Sequence, residues 1–204
     1  MLAAVAYWLV YHSQYFVATE IKVQGNSRVP TEQISTVAAL ALNQPLIKMP
    51  DQDIETVIAT IAEVKSVSVE RGWPHTVLVN IVERQPIAVA NDGATLVLVD
   101  DAGVAASGPI PAAPEGMLTV AGAPSTTAMQ AAVSVIAILP KEWKVTGVSA
   151  PTQDSVTVHL KGDVNVTFGA GTDLDQKVKV ASALIANKYK AINVSSPDAP
   201  TVTK

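Results

Sequence analysis

Catalysis needs titratable or nucleophilic side chains at set spacings, and this sequence offers few. It has three histidines, His12, His75 and His159, and no cysteine, which removes thiolate metal sites. No H-E-x-x-H, G-x-S-x-G or glycine-rich phosphate loop occurs. His75 falls in a turn and His159 on the polar side of an alternating run, so solvent exposure accounts for both. The carboxylate pairs, Asp100-Asp101 and Asp173 with Asp175, read as turn and helix-start residues. Two carboxylates from distant segments could still meet in a cleft that cuts glycans. Such a cleft usually uses aromatic stacking surfaces, yet beyond residue 16 only Trp73, Trp143, Phe168 and Tyr189 remain. The expectation is a non-enzyme with no cofactor, no metal and no small-molecule substrate. Net charge is −4, which argues against a nucleic-acid partner, because phosphate binding needs a basic surface.

The aromatics that are present gather at the start. Tyr7, Trp8, Tyr11, Tyr15 and Phe16 are five of the nine in the chain, and "MLAAVAYWLVY" carries no charge. Trp and Tyr favour the level of lipid headgroups. Eleven helical residues span only about 16 Å against roughly 30 Å of hydrocarbon. The segment reads as the outer end of a transmembrane helix that begins before residue 1. The alternative is a buried helix or an amphipathic first turn.

The elements behind it follow a definite order. With 49% hydrophobic and 16% charged residues, the chain has enough apolar material for one or two packed cores. "VATEIKVQ" alternates and stops at Gly25-Asn26. Pro30 and Thr31 open a helix with Ile34, Val37, Ala38 and Ala41 on one face. A loop over 43–50 leads to Asp51, an N-cap candidate, and a stripe of Ile54, Val57, Ile58 and Ile61. Val64 to Glu70 and Thr76 to Val82 read as strands joined by a turn with Trp73-Pro74. Trp73 either covers a sheet edge or helix end, or makes a contact site. Glu83-Arg84 before Pro86 reads as a polar junction.

Beyond it, "PIAVA" and "TLVLVD" flank the hairpin signal Asn91-Asp92-Gly93, and 107–116 with three prolines reads as a loop. Ser125 caps a helix bearing Met129, Ala132, Val133 and Ile136. Val156 to Leu160 and Val164 to Phe168 alternate about Gly162-Asp163. Thr172 and Asp175 give a T-x-x-D helix start. The last strand, Ala191 to Ser195, reads as an open edge, because Pro197 and Pro200 follow and the chain ends soon after. The alternative is that 197–204 folds back over that edge.

This order, with "VQGN", "VKSVSVERGWPHTVLVNIVERQPIAV", "LVD", "DAGV", "VTGVS", "DSVTVHLKGDVNVTFG", "DQKVKVASALI" and "INVSSPDAP", resembles the FtsQ/DivIB cell-division family in an actinobacterial style. The resemblance implies an α+β chain: a partial transmembrane helix over 1–16, a β-α-α-β-β POTRA domain over 17–85, a β-rich domain with two flanking helices over 86–196, and a tail over 197–204. It implies a single-pass scaffold at the division septum, extracytoplasmic from about residue 17, and partners that are small coiled-coil proteins of the FtsB and FtsL type. Their site is expected at Ile192, Asn193, Val194, Ser195 and Ser196, with Trp73 and Arg84 as secondary contacts. A cell-wall enzyme without a known motif and a POTRA-type peptide chaperone are the competing classes.

Overall fold

The computed structural model describes Met1 and residues 14–123 and 125–204. The proposed transmembrane segment, with Tyr7, Trp8, Tyr11 and His12, lies almost wholly outside these residues. Its last three residues, Gln14–Phe16, form a 3-10 turn. No helix of the described residues is long and apolar enough to cross a membrane. The chain divides into two compact units, Met1–Arg84 and Gln85–Lys204.

The first unit is built from β1 (Glu20–Gln24), α1 (Thr31–Ala38), α2 (Asp51–Ile58), β2 (Val64–Gly72) and β3 (Thr76–Glu83). Its sheet order is β1-β3-β2, with β1 parallel and β2 antiparallel to β3. A parallel neighbour needs a long crossover, and the two helices supply it. One face of the sheet buries Val69, Val77, Val79 and Ile81 against Ile34, Ala38, Ile54 and Ile58. At Gly25 the backbone takes φ +83 and a Cβ would lie 2.1 Å from the Ile81 carbonyl oxygen, so only glycine fits. Val57, expected on the buried stripe, is exposed. A helix of only eight residues covers the sheet with the narrow Ile54–Ile58 line. Asp51 is not the N-cap either: Pro50 precedes the helix, and the Asp51 carboxylate meets Arg71 Nη2 at 3.1 Å. The outer edge of β2 is partly covered, because Glu55 Oε1 accepts from the Val69 N–H at 2.7 Å.

The second unit holds nine strands: β4 (Ala88–Asn91), β5 (Leu96–Val99), β6 (Ala105–Ile110), β7 (Leu118–Ala121), β8 (Val145–Ser149), β9 (Val156–Leu160), β10 (Val164–Gly169), β11 (Ala191–Asn193) and β12 (Thr201–Thr203). They form one sheet in the order β12-β11-β10-β9-β8-β7-β4-β5-β6. Helix α3 (Thr126–Ile138) joins the parallel neighbours β7 and β8, and α4 (Leu174–Ala186) joins the parallel neighbours β10 and β11. Both crossovers step the same way between strands of the same direction. Right-handed connection therefore puts both helices on one face rather than either side. The core confirms it: Val120, Val148, Val158, Val166, Phe168 and Ile192 pack in one cluster with Met129, Ala132 and Val133 of α3 and Ala181 of α4.

Ser125 caps α3 as expected, its Oγ accepting from the Ala128 N–H at 3.2 Å. The T-x-x-D reading fails at α4, where Asp173 holds the cap position at φ 53 without a side-chain bond. The segment 107–116 is not wholly a loop. Its first part belongs to β6, in which Pro109 pairs with Val97 on the outermost strand, where no N–H is needed.

Candidate functional site

The C-terminal edge of the large sheet differs from expectation. Residues 197–204 are not an unpaired tail. Ser196 to Ala199 make a turn, closed by the Ala199 N–H donating to Ser196 O at 3.0 Å, and β12 then pairs antiparallel with β11. Neither proline interferes, since Pro197 lies in the turn and Pro200 immediately precedes the strand. The turn is tied to α4, with Gln176 Nε2 donating to Asp198 Oδ1 at 3.0 Å.

The five expected partner-binding residues are thereby separated. Ile192 and Val194 are buried in the core, while Asn193, Ser195 and Ser196 are exposed. The Val194 N–H donates to Thr167 O at 2.8 Å, inward to β10. Asn193 Oδ1 accepts from the Ser195 N–H at 2.9 Å. The outermost strand is β12. Alternation turns the Asn193 N–H away from β10 and toward β12, where it faces Thr201, while Ala191 faces Thr203. Thr201 and Thr203 thus bond inward, and the Val202 N–H and C=O point outward to no strand. Val202 overhangs the covered core at 37% exposure. The signal for β12 was the β-branched run Thr201-Val202-Thr203.

In the first unit, Trp73 is half exposed at the β2–β3 turn, and its ring meets Phe16 edge-on, with centroids 5.4 Å apart. The Thr19 and Glu20 N–H groups both donate to His75 O in that turn, at 2.9 and 3.3 Å. Glu83 does more than mark a junction. Buried at 8% exposure, its Oε1 accepts from the N–H groups of Ser27, Arg28 and Val29 at 2.7, 2.8 and 2.9 Å. Arg28 Nε lies 3.6 Å from Glu83 Oε2. Burial opposes ionisation, but the Val29, Ser27 and Arg28 N–H groups and the guanidinium charge outweigh it, so the carboxyl titrates below its ordinary range. The Arg84 carbonyl accepts from Arg28 Nη2, and the Arg84 N–H donates to Glu63 O at 2.8 Å.

Two of the residues with catalytic potential, His159 and Asp100, are engaged structurally. His159 sits between Ser149 Oγ, 3.0 Å from Nε2, and Asn165 Oδ1, 2.7 Å from Nδ1, on the sheet face away from the helices. Asp100 is buried and its Oδ1 accepts from the Ala102 and Val104 N–H groups at 3.0 and 2.9 Å, shaping the β5–β6 turn. Asp173 and Asp175 are exposed at the start of α4. Among the described residues no cluster of three or more His, Asp or Glu is placed to hold a metal ion.

Comparison with known proteins accords with these features. Residues 16–84 match the family model "POTRA domain, FtsQ-type". The chain is 31% identical over 205 residues to "Cell division protein FtsQ" of Mycolicibacterium smegmatis, covering 99% of this chain and 62% of that protein. It is 30% identical over 214 residues to the protein of the same name in Streptomyces bingchenggensis, covering 96% of this chain and 79% of that one. The chain thus spans less than two thirds of the mycobacterial relative. A solved extracytoplasmic domain of the division protein DivIB from Geobacillus stearothermophilus aligns with a TM-score of 0.39 at 20% identity, over 51% of this chain and 92% of that one, too distant to add weight. Identity at this level across nearly the whole chain and most of a relative shows that the chain belongs to the FtsQ family of cell division proteins.

Proposed function

We propose that this chain is a non-enzymatic scaffold of the division machinery, anchored in the cytoplasmic membrane by a helix whose outer end lies within residues 1–16, with both sheets outside. Its partners are single-pass coiled-coil proteins of the FtsB and FtsL type, and through them it bears on septal peptidoglycan synthesis. The observation that carries this reading is β12: an outermost strand of three residues whose Val202 peptide groups face away from β11. Such an edge accepts a strand from another chain. The partner site therefore moves outward from Ile192–Ser196 to Thr201–Thr203. Each added hydrogen bond contributes only about 0.5–1.5 kcal/mol net, so the Val202 side chain must also be covered by the partner.

The test substitutes proline along β12. Val202→Pro removes an outward N–H and leaves the inward ladder intact, so the protein should keep its melting temperature and lose the coiled-coil partner in a binding assay. Thr201→Pro removes an inward N–H and should loosen the edge. Unchanged partner affinity in folded Val202→Pro would exclude strand addition at β12.

A further inference from the structure

We propose that the tip of the β2–β3 hairpin is a lipid-interface contact, with Trp73, Phe16 and Tyr15 seating the first unit in the headgroup layer of the bilayer. The inference rests on the membrane-anchored reading above. Tyr15 is 80% and Trp73 50% exposed, and Phe16 lies edge-on to the Trp73 ring. Two residues far apart in sequence are thus brought into one aromatic cluster. The cluster sits where the chain enters the unit, because the Thr19 and Glu20 N–H groups are bonded to His75 O of the same tip.

Distance then selects the occupant. The apolar run ends at Tyr11, before His12, Ser13 and Gln14 and four residues before Tyr15. Four residues reach at most about 14 Å even when fully extended. The headgroup layer on each side of the hydrocarbon is roughly 5–8 Å thick. With residues 1–11 in the bilayer, Tyr15 and Phe16 lie in or just above that layer, and their contact brings Trp73 to the same level. Tyr and Trp are suited to that depth, each with an apolar ring and one polar atom to leave in water. Four charged side chains near the tip are paired within the protein. Glu20 Oε1 lies 3.4 Å from Lys22 Nζ, Glu20 Oε2 accepts from Thr76 Oγ1 at 3.0 Å, and Arg71 meets Asp51 at 3.1 Å. A paired Glu20–Lys22 presents no net charge to lipid phosphates.

The experiment reconstitutes the full chain in phosphatidylcholine–phosphatidylglycerol vesicles carrying lipids brominated either near the headgroup or deep in the acyl chain. Three variants each keep one tryptophan, with phenylalanine at the other two positions: Trp8, Trp73 or Trp143 alone. Trp73 emission should fall about twofold with shallow bromines, less with deep ones, and Trp143, whose ring packs against Phe168 in the core of its own unit, should be unaffected. The difference in quenching between the unaltered chain and Trp73→Phe gives the same quantity without touching Trp143. Quenching of Trp8 without Trp73 overturns the hairpin contact and leaves the anchor standing. Quenching of neither overturns both. Equal quenching of Trp73 and Trp143 marks unspecific adsorption and also overturns the proposal, as does a blue-shifted Trp73 that bromines do not reach, since the N-terminal segment would then cover it.

Discussion

Glu83 shows how one side chain fixes a segment remote from it in sequence. Three consecutive N–H groups, those of Ser27, Arg28 and Val29, converge on its Oε1, so the loop between β1 and α1 is held to the end of β3. A neutral amide at this position still accepts, but without the charge that strengthens such bonds. Glu83→Gln should lower stability by about 1–3 kcal/mol at neutral pH. The pH dependence follows from the lowered carboxyl pKa. Its stabilisation is fully present above the ordinary value of 4.5 and is lost as pH falls through the lower folded value. Urea unfolding at neutral pH and below pH 4 should therefore show the parent losing more stability than Glu83→Gln. Equal losses would mean that another carboxylate governs the acid limb. None of this was legible in "VERQP", because the partners lie 54 to 56 residues earlier and local sequence shows only a polar junction.

At the scale of elements, periodicity carried most of the reading. Ile54 and Ile58 recur four apart and both are fully buried against the three-stranded sheet. Ile58→Ala should cost about 2–5 kcal/mol, measured by chemical denaturation of the purified protein. A variant as stable as the parent would show that α2 does not cover the sheet through this face. Val57 belongs to the same pattern and is exposed, since periodicity gives a helix face without its width. Prolines misled the reading twice for one reason. Pro109 lies within β6 and Pro200 abuts β12, both outermost strands of the sheet, where a missing N–H is tolerated. Proline excludes a central strand, and sequence does not say which strands are central. The candidate site suffered accordingly. The strand at Ala191–Asn193 was visible in the sequence, but its place one position inside the edge depended on three residues, Thr201–Thr203, too few for alternation to stand out.

The chain as a whole has a marked asymmetry. Its apolar aromatic run stands at the start of the first unit, ahead of both sheets, and no helix of the described residues is long and apolar enough to cross a membrane. If that run is the anchor, everything after it lies on one side, and a single reporter in either unit reads the side for both. Ala113 suits the purpose. It is exposed in the connection between β6 and β7, away from the β12 edge in strand order and outside every strand and helix. The chain has no cysteine, so Ala113→Cys introduces a unique thiol. A buried position would stay silent on either side of the membrane, whereas an exposed one reacts wherever the reagent reaches it. In intact cells whose outer envelope admits a membrane-impermeant maleimide, Ala113→Cys should be labelled without lysis. Labelling that requires rupture of the cytoplasmic membrane would place both units inside. The scaffold would then have to meet its partners from the cytoplasmic side, and strand addition at β12 by an extracytoplasmic segment would be impossible.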